Sequence, residues 1–179
     1  MSNFFCCLCI VLIAVVIALI VIFAITGNDE IGYSVLSHNF AKIKDLDAQE
    51  VGNLIGGKVK FNIDNGTFKN MCTIKMSYVF NYSGHLLKQG EYGQTSSGGD
   101  GKYYLFRVAD FKKLLDDHYS KNKVTYKDFS KLEGKKGVIV FQDCTFSDAT
   151  GHVDLYDGNK VEGKDYRDSC TTYTLYQFK

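Results

Sequence analysis

The sequence predicts an α+β fold, and three observations carry that expectation. Helix-like patterns dominate the earlier part of the chain. Three strand-like runs, "GVIVFQ", "GHVDLYDG" and "TTYTLYQF", fill its last third, separated by Gly- and Asp-rich turns. No internal repeat breaks that order. Helices followed by a mostly antiparallel sheet make an α+β arrangement.

Taken in order, residues 4–26 read "FFCCLCIVLIAVVIALIVIFAIT" without a charge. At about 1.5 Å per residue such a run can cross a bilayer core of roughly 30 Å. Residues 1–27 are therefore expected to be a signal peptide or a signal anchor, which would deliver the rest of the chain outside the cytosol, secreted or membrane-anchored. A polar linker is expected over 28–37, and a folded domain over 38–179. "DAQEVGNLIGG" reads as a short helix, with Val51, Leu54 and Ile55 on one face and Gly56 as a stop. "KVKFNIDNGTF" reads as extended or turn-rich. "NMCTIKMSYVFNYSG" fits two periods: Ile74, Met76, Tyr78 and Phe80 alternate as in a strand, while Cys72, Met76, Val79 and Ser83 share a helical face. If it is a helix, Asn70 is a good N-cap and Cys72 falls in the first turn. "GHLLKQGEYGQTSSGGDGK" is a long Gly- and Ser-rich loop of the kind that often rims a site. "YYLFRV" reads as a strand. "VADFKKLLDDHYSKN" reads as an amphipathic helix burying Val108, Phe111, Leu114, Leu115 and Tyr119.

Composition narrows the function classes. A hydrophobic content of 45% with 23% charged residues describes a globular chain, and a net charge of +1 gives no electrostatic case for nucleic acid. Pro is absent, so turns rely on Gly, Asn and Asp. Cys6, Cys7 and Cys9 lie in the apolar run, where palmitoylation is conceivable. Cys72, Cys144 and Cys170 lie in the globular part. Three thiols in an oxidising compartment give one bridge and one free cysteine. "NGT" at Asn65 and "NYS" at Asn81 are glycosylation sequons.

The free thiol raises the question of chemistry. A cysteine in a helix's first turn meets the positive end of the macrodipole and unpaired N–H groups, and both favour thiolate. It then needs a base. His152 is the best candidate, on a strand face shared with Asp154 and Tyr156. The alternatives are a buried structural cysteine and a surface histidine. His118 lies on a charged helix, His85 in a loop and His38 in the linker region, and all three are weaker candidates. No CxxC, HExxH, EF-hand or Walker spacing is present in the globular part, so neither a metal nor another cofactor is expected.

Several stretches together resemble the family-4 amidase effectors of bacterial type VI secretion, which are papain-like cysteine peptidases related to NlpC-type peptidoglycan hydrolases. They are "LIGGKVKFNI", "NMCTIKMSYVFNYSG", "GGDGKYYLFRVADFKKLL", "GKKGVIVFQ" and "SDATGHVDLYDG". The resemblance runs from about Leu54 to the C-terminus. It implies a papain-like fold in which the nucleophilic Cys opens a helix packed on an antiparallel sheet. Cys72 in "NMC" would be the nucleophile, with its backbone N–H in the oxyanion hole, and His152 in "ATGH" the general base. Asp168 in "RDSC" best matches the family's third residue, with Asp165 in reserve. Tyr166 stands where the family often has a second Cys. Asp154 is set aside because a side chain two along the strand projects parallel to His152. The leftover pair, Cys144 and Cys170, would form the disulfide.

The implied activity is hydrolysis of the γ-D-glutamyl–meso-diaminopimelate amide in bacterial peptidoglycan, with peptide stems as partner and no cofactor. An inhibitor protein is implied if the producer is bacterial. The loop at 84–101 would form a cleft wall. The rival readings are a muropeptide-binding module without turnover, displayed from a membrane, and a papain-like hydrolase acting on another amide or ester.

Overall fold

The computed structural model describes residues 31–147 and 149–179. The expected signal or anchor segment, 1–27, lies outside the described residues. Among the described residues no helix is long and apolar enough to cross a membrane. The α+β expectation holds: helices precede a four-stranded antiparallel sheet.

Three helices build the first layer. Helix α1, Tyr33–Phe40, buries Tyr33, Leu36 and Phe40, a helical spacing of three, four and seven. The segment expected as a polar linker is thus folded from Tyr33 onward, because those apolar side chains have a core to enter. Helix α2, Ala48–Ile55, starts at a capping box in which Asp47 and Glu50 each accept the other's backbone N–H. Helix α3, Gly57–Asp64, replaces the extended segment expected there; Val59 and Ile63, one turn apart, face the core. Gly57 makes its entry possible. It sits at φ 59°, and a side chain there would lie 2.5 Å from the Gly98 carbonyl carbon, a clash no L-residue could relieve.

Helix α4, Cys72–Tyr82, is buried on nearly every face, so apolar residues satisfy strand and helix periods at once. That is why periodicity could not decide it. Its buried polar residues splice it to strand β2, Tyr103–Leu105, which pairs with β1, Thr95–Ser97. Ser77 Oγ donates to the Leu105 carbonyl at 3.2 Å and accepts from the Leu105 N–H at 3.0 Å. Asn81 Nδ2 donates to the Tyr103 carbonyl at 2.8 Å, and its Oδ1 accepts from Leu87 N–H at 2.9 Å. The Asn81 sequon is therefore consumed by the fold, whereas Asn65 is exposed.

Helix α5, Val108–Tyr119, packs Phe111, Leu114 and Leu115 inward. The sheet runs β3–β6–β4–β5, with β3 Lys123–Tyr126, β4 Gly137–Cys144, β5 His152–Tyr156 and β6 Cys170–Gln177. Strand β3, a short alternating "KVTY", was not anticipated. One face of the sheet, with Val138, Val140, Val153 and Leu155, joins the helical core; the other packs Ile139, Phe141, Tyr156, Tyr173 and Leu175. Cys144 and Cys170 sit opposite each other on β4 and β6 and are joined by a disulfide, leaving Cys72 as the free cysteine among the described residues.

Candidate active site

Cys72 is the first residue of α4. The N-cap is Met71, without a side-chain cap, rather than Asn70. The first-turn N–H groups therefore lack partners within the helix. Strand β5 is the edge of the sheet and packs against α4. An edge strand leaves one row of N–H groups unused by its neighbour, and the Val153 N–H is bonded to Cys72 Sγ. Burial alone would push the thiol up. The His152 hydrogen bond and charge, the Thr73 hydroxyl and the Val153 N–H outweigh it, and the Cys72 pKa is lowered.

His152 is hydrogen-bonded to Cys72. Its Nε2 lies 3.1 Å from Asp154 Oδ2, so Nδ1 is the nitrogen left for the thiol. Burial disfavours its charged form, but bonds to Asp154 and Cys72, and the charges behind them, raise its pKa to about 9. Both shifts favour a thiolate–imidazolium pair over a neutral thiol and imidazole.

The carboxylate on the imidazole is Asp154, not Asp168 or Asp165. Asp154 is buried and saturated: Oδ1 accepts from Leu155 N–H at 2.7 Å and Gly163 N–H at 3.0 Å, and Oδ2 accepts from Lys164 N–H at 2.9 Å. Strand geometry does send His152 and Asp154 out in parallel, about 6.6 Å apart at the backbone. An imidazole turned along the strand closes that gap, which the parallel-projection argument overlooked. Asp165 feels the His152 charge, but its oxygens are taken by Arg167 Nε at 2.8 Å and by the Arg167 N–H at 3.0 Å. Asp168 exerts its charge on Arg167 and Tyr173.

Cys72, His152 and Asp154 open into one cleft of about 1060 Å³, large enough for a branched peptide segment. Its walls are residues 40, 44 and 45 at and after the end of α1, 70–73 and 75 from the start of α4, 106–109 from the start of α5, and 146, 147, 149–154, 163, 164 and 166 around β5. The expected wall at 84–101 is not among them; that loop pairs β1 with β2 and packs Gly99 on the end of α2, its N–H donating to the Ile55 carbonyl at 2.9 Å. Tyr166 was not singled out as a site residue, yet its ring lies 4.7 Å from that of His152 and 4.8 Å from Phe146. Its place in a Gly- and Asp-rich stretch near the His strand was the available signal.

The other histidines stand apart from this site. His85 and His118 both meet the Tyr92 hydroxyl, at 3.4 and 2.7 Å, and His85 also meets Tyr119 at 3.0 Å. Among the described residues no group of three or more His, Cys, Asp or Glu is placed to hold a metal ion.

A cysteine at a helix start, bonded to a histidine that a buried carboxylate holds from behind, is the equipment of a cysteine hydrolase. Comparison with known proteins points to an amidase family. Residues 68–176 match the family described as type VI secretion system (T6SS), amidase effector protein 4 (Tae4). The Tae4–Tai4 effector–immunity complex from Enterobacter cloacae is similar at 34% identity and TM-score 0.77, over 83% of this chain and 98% of that one. The corresponding complex from Salmonella Typhimurium gives 31% and 0.77 over the same shares. Tae4 from Enterobacter cloacae alone gives 34% and 0.74, over 83% of this chain and 96% of that one. A comparison with curated proteins finds no match. With the family matching across Cys72, His152 and the sheet between them, this chain belongs to the type VI secretion system amidase effector 4 family.

Proposed function

We propose that this protein is a peptidoglycan cysteine amidase, a DL-endopeptidase that hydrolyses the γ-D-glutamyl–meso-diaminopimelate bond of bacterial cell wall. The observation that carries the reading is the bonded series Cys72–His152–Asp154 opening into a cleft. Cys72 thiolate attacks the amide carbonyl. The tetrahedral oxyanion takes a hydrogen bond from the Cys72 backbone N–H, free at the helix start. Imidazolium His152 gives its proton to the leaving amine as the C–N bond breaks, and a thioester remains. Neutral His152 then takes a proton from water, whose oxygen attacks the thioester. Collapse releases the carboxylic acid and restores the thiolate and the imidazolium. Asp154 fixes the imidazole orientation and stabilises its charged form.

The Cys144–Cys170 disulfide and the charge-free run at 4–26 support a site of action outside the reducing cytosol. Relatives are known as complexes with the immunity protein Tai4, and an inhibitor of that kind is the partner to seek in a bacterial producer.

The test is incubation with meso-diaminopimelate sacculi, with products read by mass spectrometry beside Cys72→Ala. Cleavage at the γ-D-glutamyl bond by the wild type, and none by the variant, is the expected result. Turnover by Cys72→Ala would remove the mechanism, and retention on sacculi without cleavage would favour a binding module.

A further inference from the structure

The cleft holds more positive charge than the chemistry at Cys72 uses. Lys44, Lys75, Arg107 and Lys164 line it, against Asp45 and Asp154. Asp154 is committed to His152. Two of the cations are also committed. Lys75 Nζ donates to the carbonyls of Lys44 at 2.8 Å and Leu46 at 2.7 Å. Lys164 is bonded to the Tyr166 hydroxyl and lies 5.0 Å from that ring's centroid. Lys44 is followed by Asp45, which brings the opposite charge to the same part of the lining. Arg107 is different. Its guanidinium lies 5.6 Å from the Phe106 ring centroid, and it enters none of the ion pairs formed among the described residues.

The register between α4 and β2 locates Arg107. Asn81 bonds to Tyr103 and Ser77 to Leu105. Four residues back along a helix are about 6 Å, and two residues on along a strand about 6.6 Å. Carried one step past the end of β2 at Leu105, that register would set Arg107 against Thr73, and both residues line the cleft. Its neighbour Val108 approaches the other reacting group: a Cβ on Gly151, which precedes His152, would lie 3.6 Å from Val108 Cγ1. Arg107 sits at the junction of the two elements that carry the nucleophile and the base.

The bond assigned above has an unusual feature at that place. A γ-glutamyl amide uses the glutamate side-chain carboxyl, so the glutamate α-carboxylate stays free. The diaminopimelate carbon bonded to the amide nitrogen can carry a second free carboxylate. An ordinary peptide bond lacks the first, because there the α-carboxyl is itself the acyl group, and carries the second only at a chain's C-terminus. We propose that Arg107 is a specificity-determining residue, holding a carboxylate that flanks the scissile amide. A guanidinium presents two parallel N–H groups to a carboxylate, which a lysine cannot do, and the Phe106 ring beside it offers a cation–π contact. The inference rests on the proposed bond, and either flanking carboxylate supplies the chemistry.

The test uses the full chain and three synthetic stem peptides: one with both carboxylates free, one with the glutamate α-carboxyl amidated, and one with the diaminopimelate carboxyl beside the amide amidated. Wild type should cleave the free form with kcat/KM about ten- to hundredfold above one of the amides, the range of a charged hydrogen bond. That amide identifies the carboxylate held. Arg107→Met should lose the preference by falling on the free form alone, and Arg107→Lys should recover part of it. Equal cleavage of all three peptides by wild type overturns the role of Arg107 and leaves the bond assignment standing. So does a preference that survives in Arg107→Met. A wild type that cleaves none of the three overturns the bond assignment and this inference with it.

Discussion

At the scale of residues, the pair Cys72–His152 sets a pH window. The Cys72 pKa is lowered and that of His152 is raised to about 9, so thiolate and imidazolium coexist between the two. Activity should rise as pH climbs through the lowered Cys72 value. It should fall through about 9, where His152 loses the proton owed to the leaving amine. The linkage to stability has the same upper edge. A histidine raised above its ordinary 6.5 stabilises the fold fully below that pH and loses the contribution as pH rises through about 9. Asp154→Asn should remove the second-largest influence on His152, draw the upper limb down and lower kcat/KM by roughly 10²- to 10⁴-fold. Asp168→Asn should change neither. A pH–rate profile of the two variants checks this directly, and an inactive Asp168→Asn beside an active Asp154→Asn would reverse the assignment. Cys72 and His152 were legible as candidates because a helix-start cysteine and a strand histidine sit in stretches that resemble one family. The carboxylate beside His152 was not, since its identity depends on how far an imidazole can turn within a strand.

At the scale of elements, legibility followed exposure contrast. Helix α5 has one apolar and one charged face, and its sequence limits were plain. Helix α4 is buried all round, so its apolar residues carried no single period. Helix α3 was missed because its glycine-led start reads as a turn, although Val59 and Ile63 already stood one turn apart. The disulfide lies at the ends of β4 and β6, where both cleft loops begin: Phe146 follows Cys144, and Tyr166 precedes Cys170. It closes a chain segment across a separation of 26, which by loop entropy stabilises by about 3–4 kcal/mol. The double variant Cys144→Ala/Cys170→Ala should therefore melt roughly 6–16 °C lower, at about 2–4 °C per kcal/mol. Its activity on peptidoglycan should fall further than its folded fraction does, because Tyr166 would no longer be held between Phe146 and His152. Calorimetry and turnover on the same preparation separate the two effects, and unchanged turnover per folded molecule would show the loops need no clip.

At the scale of the whole molecule, helix α1 is tied to the segment that holds the Asp154 carboxylate. Tyr33 N–H donates to the Lys179 carbonyl at 2.6 Å, joining the two ends of the folded region. Tyr33 Oη and Ser37 Oγ donate to the Glu162 carboxylate at 2.5 and 3.1 Å. Glu162 precedes Gly163 and Lys164, whose N–H groups hold Asp154. The boundary read from sequence, at residue 38, would cut this connection. A chain beginning at Ile31 keeps Tyr33, Leu36 and Ser37; one beginning at His38 loses them. Each buried large side chain removed costs about 2–5 kcal/mol, against a typical total of 5–15 kcal/mol. The shorter chain should therefore melt more than about 10 °C below the longer one. Where it still folds, Glu162 has lost both partners, Asp154 is less firmly held, and kcat should drop more than KM changes. Equal melting temperature and equal kcat for the two chains would show α1 to be dispensable and would return the boundary to residue 38.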